Sequence, residues 1–226
     1  MRDSTTGRDA DMDQKNTFLE SEGNEWFRRN IDNLHSRELP HGDAILVEVL
    51  KLLPPRAEGT TVLEIGCADG TRLKWLQENR GCRCYGVDPS AEAVAVARAG
   101  GIDAHQATAD QLPFKDCTFD IVIFGFCLYL CDDKDLFRIA LEADRVLRNP
   151  GWLVILDFYS PTPLKRAYRH REGLFSRKMD YRTLFTWHPG YIAMTHHVRR
   201  YSDDSYTDDR QEWIATSVIR KNLDEQ

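Results

Sequence analysis

The order of apolar runs predicts an α/β fold: a doubly wound, mostly parallel seven-stranded sheet with an antiparallel C-terminal strand. Three observations carry this. From Thr61 to Phe158, short apolar and β-branched runs alternate with helix-length segments, the pattern of strands buried on both faces and joined by crossover helices. The first run, Thr61–Ile65, enters the glycine turn Gly66-Cys67-Ala68-Asp69-Gly70, and the second ends on Asp88-Pro89-Ser90. The last two strand-like runs, Tyr191–Arg200 and Glu212–Ile219, have no helix-sized crossover between them, so they pair antiparallel.

Taken in order, residues 1–15 lack apolar periodicity and read as a mobile tail. Residues 16–58 form an N-terminal helical region. Within it Phe18, Leu19, Trp26, Phe27, Ile31 and Leu34 recur at mostly helical intervals, with a break or bend expected near Gly23. A second helix runs over Asp43–Leu53 and stops at Pro54-Pro55, because proline has no amide and restricts the residue before it. The core domain, residues 59–226, then places strands at Thr61–Ile65, Arg83–Val87, Asp103–Gln106, Phe119–Phe124 and Trp152–Phe158. Helices lie between them at Leu73–Asn79, Ala91–Ala99 and Lys134–Leu147, and Asn149-Pro150-Gly151 reads as a turn. An insertion at about 161–189 interrupts the alternation, and a segment of nearly thirty residues there reads as a lid, a binding element or partly helical.

The glycine turn is flanked by Glu64 and Asp69. A site for a pyrophosphate presents helix N-terminal amides to an anion and would be weakened by these acids. The ligand end near the turn is therefore read as cationic. The run Leu63-Glu64-Ile65-Gly66-Cys67-Ala68-Asp69-Gly70 resembles the first motif of class I S-adenosylmethionine-dependent methyltransferases, and Gly86-Val87-Asp88-Pro89-Ser90 resembles their second. The resemblance extends from about Thr60 to Lys221 and implies the Rossmann-like methyltransferase fold, S-adenosylmethionine as cofactor, and methyl transfer to a small-molecule acceptor.

The resemblance also implies a cofactor-binding set: Glu64, Gly66, Cys67, Ala68, Gly70, Asp88, Pro89, Asp110, Gln111, Leu112 and Phe126. Glu64 would help hold the cofactor's ammonium, while Gly66 and Gly70 let the chain pass close to its methionine moiety. An ordinary strand-to-helix turn capped by Asp69 is the alternative. Ala68 stands where many members carry a third glycine, which limits φ there. Asp88 follows Gly66 at about the 20-residue offset that brings an acid to ribose hydroxyls, and Ser90 is the better candidate to cap the next helix. By resemblance Asp110 takes the adenine amino group, with Leu112 as an apolar contact; a surface turn is the alternative.

Ligands in open α/β sheets sit beyond the strand C-termini, so Phe126 to Tyr129 should face the ligand, and Tyr129 is a candidate to order a substrate hydroxyl. His188, with His170 beside it in the insertion, is a candidate general base. Asp157 and Tyr159 lie on the same sheet edge without a distinctive pattern. His196 and His197 point to opposite faces of a strand and do not form a joint metal site.

Composition bounds the rest. At 226 residues and 42% apolar content, with ten Phe, eight Tyr and five Trp, the chain suits one α/β domain with a full core. The formal charge of −6 argues against a general nucleic-acid binder. No run approaches the roughly 18 apolar residues of a membrane span, and the N-terminus has no apolar signal core, so a cytoplasmic protein is expected. The six cysteines show no C-x-x-C spacing, which points to neither metal nor disulfide. Between Lys165 and Arg182 seven basic residues face two acidic ones, and this patch suggests an anionic acceptor such as a phosphorylated or carboxylated sugar. An NAD-dependent oxidoreductase and a non-catalytic binding module are the competing readings; the first lacks G-x-G-x-x-G. Oligomeric state is not legible.

Overall fold

The computed structural model describes residues 13–36, 38–203 and 205–223. Residues 1–12 of the tail expected over 1–15 lie outside them. From Gln14 the chain is helical: α1 (Gln14–Thr17), a π-helical turn (Phe18–Glu22) and α2 (Gly23–His35) follow without interruption. Gln14 and Lys15, expected in the tail, are instead helical, and the Gln14 side chain is buried, donating to the Leu130 and Phe175 carbonyls and accepting from the Phe175 amide. The bend expected near Gly23 is the π turn before it. A Cβ at Gly23 would lie 3.0 Å from the Ser90 nitrogen, so only glycine lets this helix rest on the Pro89–Ser90 loop.

Then come α3 (Ala44–Leu52), β1 (Thr61–Ile65), α4 (Thr71–Arg80), β2 (Arg83–Asp88), α5 (Ala91–Ala99), β3 (Asp103–Gln106) and β4 (Phe119–Gly125). The series continues with α6 (Leu136–Val146), β5 (Leu147–Phe158), β6 (Leu164–Ala167), β7 (Phe175–Lys178), α7 (Thr183–Thr186), β8 (Tyr191–Arg200) and β9 (Trp213–Lys221). Asp43 caps α3 through the Leu46 amide at 2.9 Å, and Ser90 caps α5 through the Ala93 amide at 3.1 Å. β5 begins at Leu147, earlier than its apolar run suggests. Its pairing with β4 jumps from Phe119–Leu147 to Ile121–Trp152, so the Asn149-Pro150-Gly151 turn is absorbed as an irregularity in the ladder.

The seven-stranded sheet has the order β3-β2-β1-β4-β5-β9-β8. The first five strands are parallel, and β9 runs antiparallel to both β5 and β8. One face packs on α6 and α7 around Phe119, Phe124 and Leu147, the other on α3, α4 and α5 around Ile45, Leu73 and Ile121. Strand order reverses between β1 and β4, which opens a crevice beyond their C-terminal ends. The insertion forms the β6–β7 hairpin and α7, and its Tyr168 and Leu174 pack on Phe18 of the π turn. No helix among the described residues is long and apolar enough to cross a membrane.

Candidate functional site

The site begins where β1 ends. Gly66 has φ +76°, and a Cβ there would sit 2.6 Å from the Cys127 Cβ, so the turn and the loop after β4 approach as closely as backbone permits. Ala68 adopts φ +47° despite its side chain, and its amide donates to Asp88 Oδ2 at 2.9 Å. Asp88 Oδ1 accepts from the Ser90 amide at 2.8 Å. Burial pushes the Asp88 carboxyl up to about 6, against the pull of these two amides. Gly70, at φ +73°, faces away from both spaces described below: a Cβ there would meet Ala97 and Ile102 at 3.2 Å, so its position serves close helix packing.

A buried ion cluster underlies the turn. Arg72 is held by Asp43 at 2.9 Å and pairs with Glu64, all three side chains being largely or wholly buried. Two carboxylates thus meet around one guanidinium below Gly66. Asp69 faces His35 Nε2 at 2.7 Å and accepts from the Thr71 hydroxyl and amide.

A narrow cleft runs across this edge between Gly66, Asp88, Pro89, Asp110 and Phe126, roofed by Lys15, Phe18, Gly23 and Trp26 of the N-terminal helices. Lys15 meets Asp110 at 2.6 Å. Burial alone would raise the Asp110 carboxyl, but the Lys15 ammonium and the Thr108 hydroxyl hold it below the usual carboxylate range. Gln111 and Leu112 do not reach the cleft. The chain turns at Asp110, leaving Gln111 exposed and drawing Leu112 into the core, with its amide on Glu142 at 2.8 Å.

β4 delivers Phe126 in the left-handed region at φ +61°, a strained backbone for an aromatic residue. Asp157 stabilises the turn that follows by accepting from the Leu128 amide at 2.8 Å and the Tyr129 amide at 3.3 Å. Burial lifts its carboxyl to about 7. Tyr129 Oη accepts from Trp26 Nε1 at 2.9 Å, and burial pushes its phenol well up, so it stays protonated.

Past Phe126 the cleft meets a second chamber of about 720 Å³, built from α2, the residues leading into α3, the glycine turn and the β8–β9 ribbon. Trp26, Gly66, Gly125 and Phe126 line both spaces. Cys67 and Ala68 face the chamber alone.

His188 lies elsewhere. It precedes Tyr191, which pairs with Lys221, which in turn pairs with Gly151 at the start of β5, the sheet edge opposite Gly66. Its Nδ1 accepts from the Gly190 amide at 3.0 Å, and it lines neither space. Three cations of the basic insertion are engaged away from both spaces. Arg177, only 5% exposed, pairs with Asp133 and donates to the Cys131 carbonyl; Arg182 pairs with Asp180, and Arg171 reaches Ser21. Sequence reasoning missed Lys15, Trp26, Asp43 and Arg72. Only Arg72 carries a signal, a cation in the first turn of the helix that follows an acid-flanked glycine turn.

Residues 63–155 match the family model described as a methyltransferase domain. The ubiquinone/menaquinone biosynthesis C-methyltransferase UbiE of Vibrio vulnificus strain YJ016 is 39% identical over 71 residues, 30% of this chain and 26% of that protein. UbiE of Escherichia coli O1:K1 / APEC is 39% identical over 71 residues, 30% of this chain and 28% of its own length. The matched stretch thus spans about a quarter of these curated relatives. Among solved structures, Burkholderia thailandensis 1,6-didemethyltoxoflavin-N1-methyltransferase, with 1,6-didemethyltoxoflavin and S-adenosylhomocysteine bound, aligns with TM-score 0.69 and 16% identity over 92% of this chain and 89% of that one. A Methanosarcina mazei S-adenosylmethionine-dependent methyltransferase aligns with TM-score 0.62 and 16% identity over 78% and 98%. At these identities the structural likeness is one of fold.

Proposed function

We propose, from the premise that the chain belongs to the class I S-adenosylmethionine-dependent methyltransferase family, that it binds S-adenosylmethionine in the cleft and methylates a small molecule held in the chamber. The observation that carries this reading is the junction at Gly66 and Phe126, where a cleft floored by a buried carboxylate meets a separate chamber. The residues fit the cofactor. Asp88 spends one acceptor site per oxygen on backbone amides and keeps further lone pairs for a ribose diol. Asp110 closes the far end as acceptor for an adenine amino group. Pro89 with Phe126 supplies apolar wall.

When bound, S-adenosylmethionine supplies a sulfonium-activated methyl group open to in-line displacement by a nucleophile. What remains for the protein is to align, to exclude water and to hold protons where needed. Trp26 roofs the junction and donates to Tyr129, so the Tyr129 phenol keeps its own proton to give to an acceptor oxygen. His188 has no part in this arrangement. The basic insertion lends little support to an anionic acceptor, because its Arg171, Arg177 and Arg182 are engaged internally.

Calorimetric titration with S-adenosylhomocysteine and, separately, NAD tests the reading. Binding of the first and not the second is expected, together with a product one methylene heavier when the enzyme turns over a metabolite mixture. Binding of NAD alone would transfer the site to redox chemistry, and cofactor binding with no product from any acceptor would leave a binding module.

A further inference from the structure

The chamber beside the cleft has two unlike walls. One is aromatic. The Phe126 ring lies 6.0 Å from Tyr129, 5.0 Å from Phe158 and 5.8 Å from Tyr201, at interplanar angles of 82°, 88° and 74°. None of these three partners stacks face to face on Phe126, so the wall is a set of steeply crossed rings, and Phe126, Phe158 and Tyr201 all line the chamber. Tyr201 stands at the mouth, 56% exposed.

The other wall is charged but internally satisfied. Asp43 is engaged by Arg72 at 2.9 Å, Asp69 by His35 at 2.7 Å and Glu48 by Lys51 at 2.7 Å. Arg72 and Arg199 line the chamber too, but Arg72 is held by Asp43 and Glu64 and Arg199 donates to the Asp203 carbonyl, so a phosphorylated or carboxylated guest would have to compete for a cation already engaged. A quaternary ammonium would find acids already paired. What the aromatic side offers is ring surface of Phe126 and Tyr201, the Lys178 ammonium lying over Phe158 at 4.4 Å, and the Tyr129 hydroxyl proton, given that Tyr129 Oη accepts from Trp26.

Resting on the methyltransferase reading above, we propose that the chamber takes a neutral, planar, hydroxylated or carbonyl-bearing aromatic acceptor. It packs on Phe126, Phe158 and Tyr201 and accepts a hydrogen bond from Tyr129. In this arrangement Phe126, which lines both spaces, sets the acceptor ring against the end of the cleft. Its strained backbone, φ +61°, is the local cost of that placement.

The test uses the full-length protein saturated with S-adenosylhomocysteine, titrated with 2-naphthol, glucose 6-phosphate and choline. Binding of 2-naphthol and of neither other probe is expected. Tyr201→Ala should weaken 2-naphthol about tenfold, the loss of one aromatic contact and its buried area, while S-adenosylhomocysteine affinity and thermal unfolding stay unchanged. Phe158→Leu provides a second variant with the same expected direction. If S-adenosylhomocysteine binds and 2-naphthol does not, or if glucose 6-phosphate or choline binds instead, the aromatic-acceptor assignment is overturned and the cofactor reading stands. If S-adenosylhomocysteine itself fails to bind, both fall.

Discussion

The cleft and the chamber are built by different logics. The cleft floor comes from one continuous stretch, Glu64 to Phe126, in which each ligand-facing group sits at the C-terminal end of a parallel strand or in the loop behind it. The chamber is assembled from residues as distant as Asn30, Asp43, Phe126, Tyr201 and Thr216. A strand end is dictated locally, by apolar runs and glycine. A chamber wall depends on which surfaces the sheet brings together, and so the two regions differ in how tightly chemistry ties them down. The cleft has one carboxylate for each expected contact, whereas the chamber offers aromatic surface and paired charges.

The sharpest way to break the comparison is Gly66→Val. A side chain there collides with Cys127 and is forced to positive φ, so S-adenosylhomocysteine binding should be abolished. Calorimetry with circular dichroism checks whether the loss is local; normal binding would show that the turn is not part of the cleft. Next in size, Asp88→Ala should cost about 1.5–3 kcal/mol of S-adenosylhomocysteine binding, the range for hydrogen bonds to charged groups, with the fold intact. An unchanged affinity would remove Asp88 from the site.

Asp88 also makes binding pH-dependent. Its folded carboxyl is raised to about 6, so the neutral form is favoured by burial, and stability contributed at low pH is lost as pH rises through that value. A diol needs the ionised form, so cofactor affinity runs the opposite way. It should be about tenfold weaker at pH 5 than at pH 7.5, and Asp88→Asn should flatten the profile. A flat wild-type profile would count against the contact.

Arg177→Ala sharpens the contrast from the other side. Losing the Asp133 pair and the Cys131 carbonyl bond should destabilise the protein by about 1.5–3 kcal/mol, read as a lower melting temperature, with S-adenosylhomocysteine affinity unchanged. A fall in affinity instead would tie the insertion to the cleft. The smallest effect is expected from Ala68→Gly. Relief of the left-handed alanine, worth about 1–2 kcal/mol, is partly offset by the greater chain entropy of glycine, leaving a stabilisation of about 0.5–1 kcal/mol. Denaturant unfolding would show it, and a destabilised variant would mean that the alanine methyl makes packing contacts worth more than the strain.

The sheet and its order of elements were legible because strands buried on both faces leave continuous apolar runs and helices between them leave a different period. α5, β3 and β8 have the limits their patterns predict. The places of Asp88 and Gly66 at the cleft were legible for a related reason: a carboxylate or glycine at a strand end has a location fixed by the strand. Gln111 and Leu112 failed because a two-residue turn decides which side chain enters the core. His188 failed because its position depends on the direction of β8, and a hairpin partner reverses which sheet edge a segment reaches.

By itself the sequence determined the doubly wound architecture, the glycine turn, the acid at the end of β2 and the sign of charge around them. These follow from local propensity and from residue types whose roles do not depend on distant partners. Tertiary structure alone decided that Lys15 meets Asp110, that Trp26 donates to Tyr129, that Arg72 gathers two carboxylates, and that the insertion's Arg177 reaches Asp133. Each of these is a contact between segments far apart in the chain, chosen by how packed surfaces close and by the need of every buried charge for a partner.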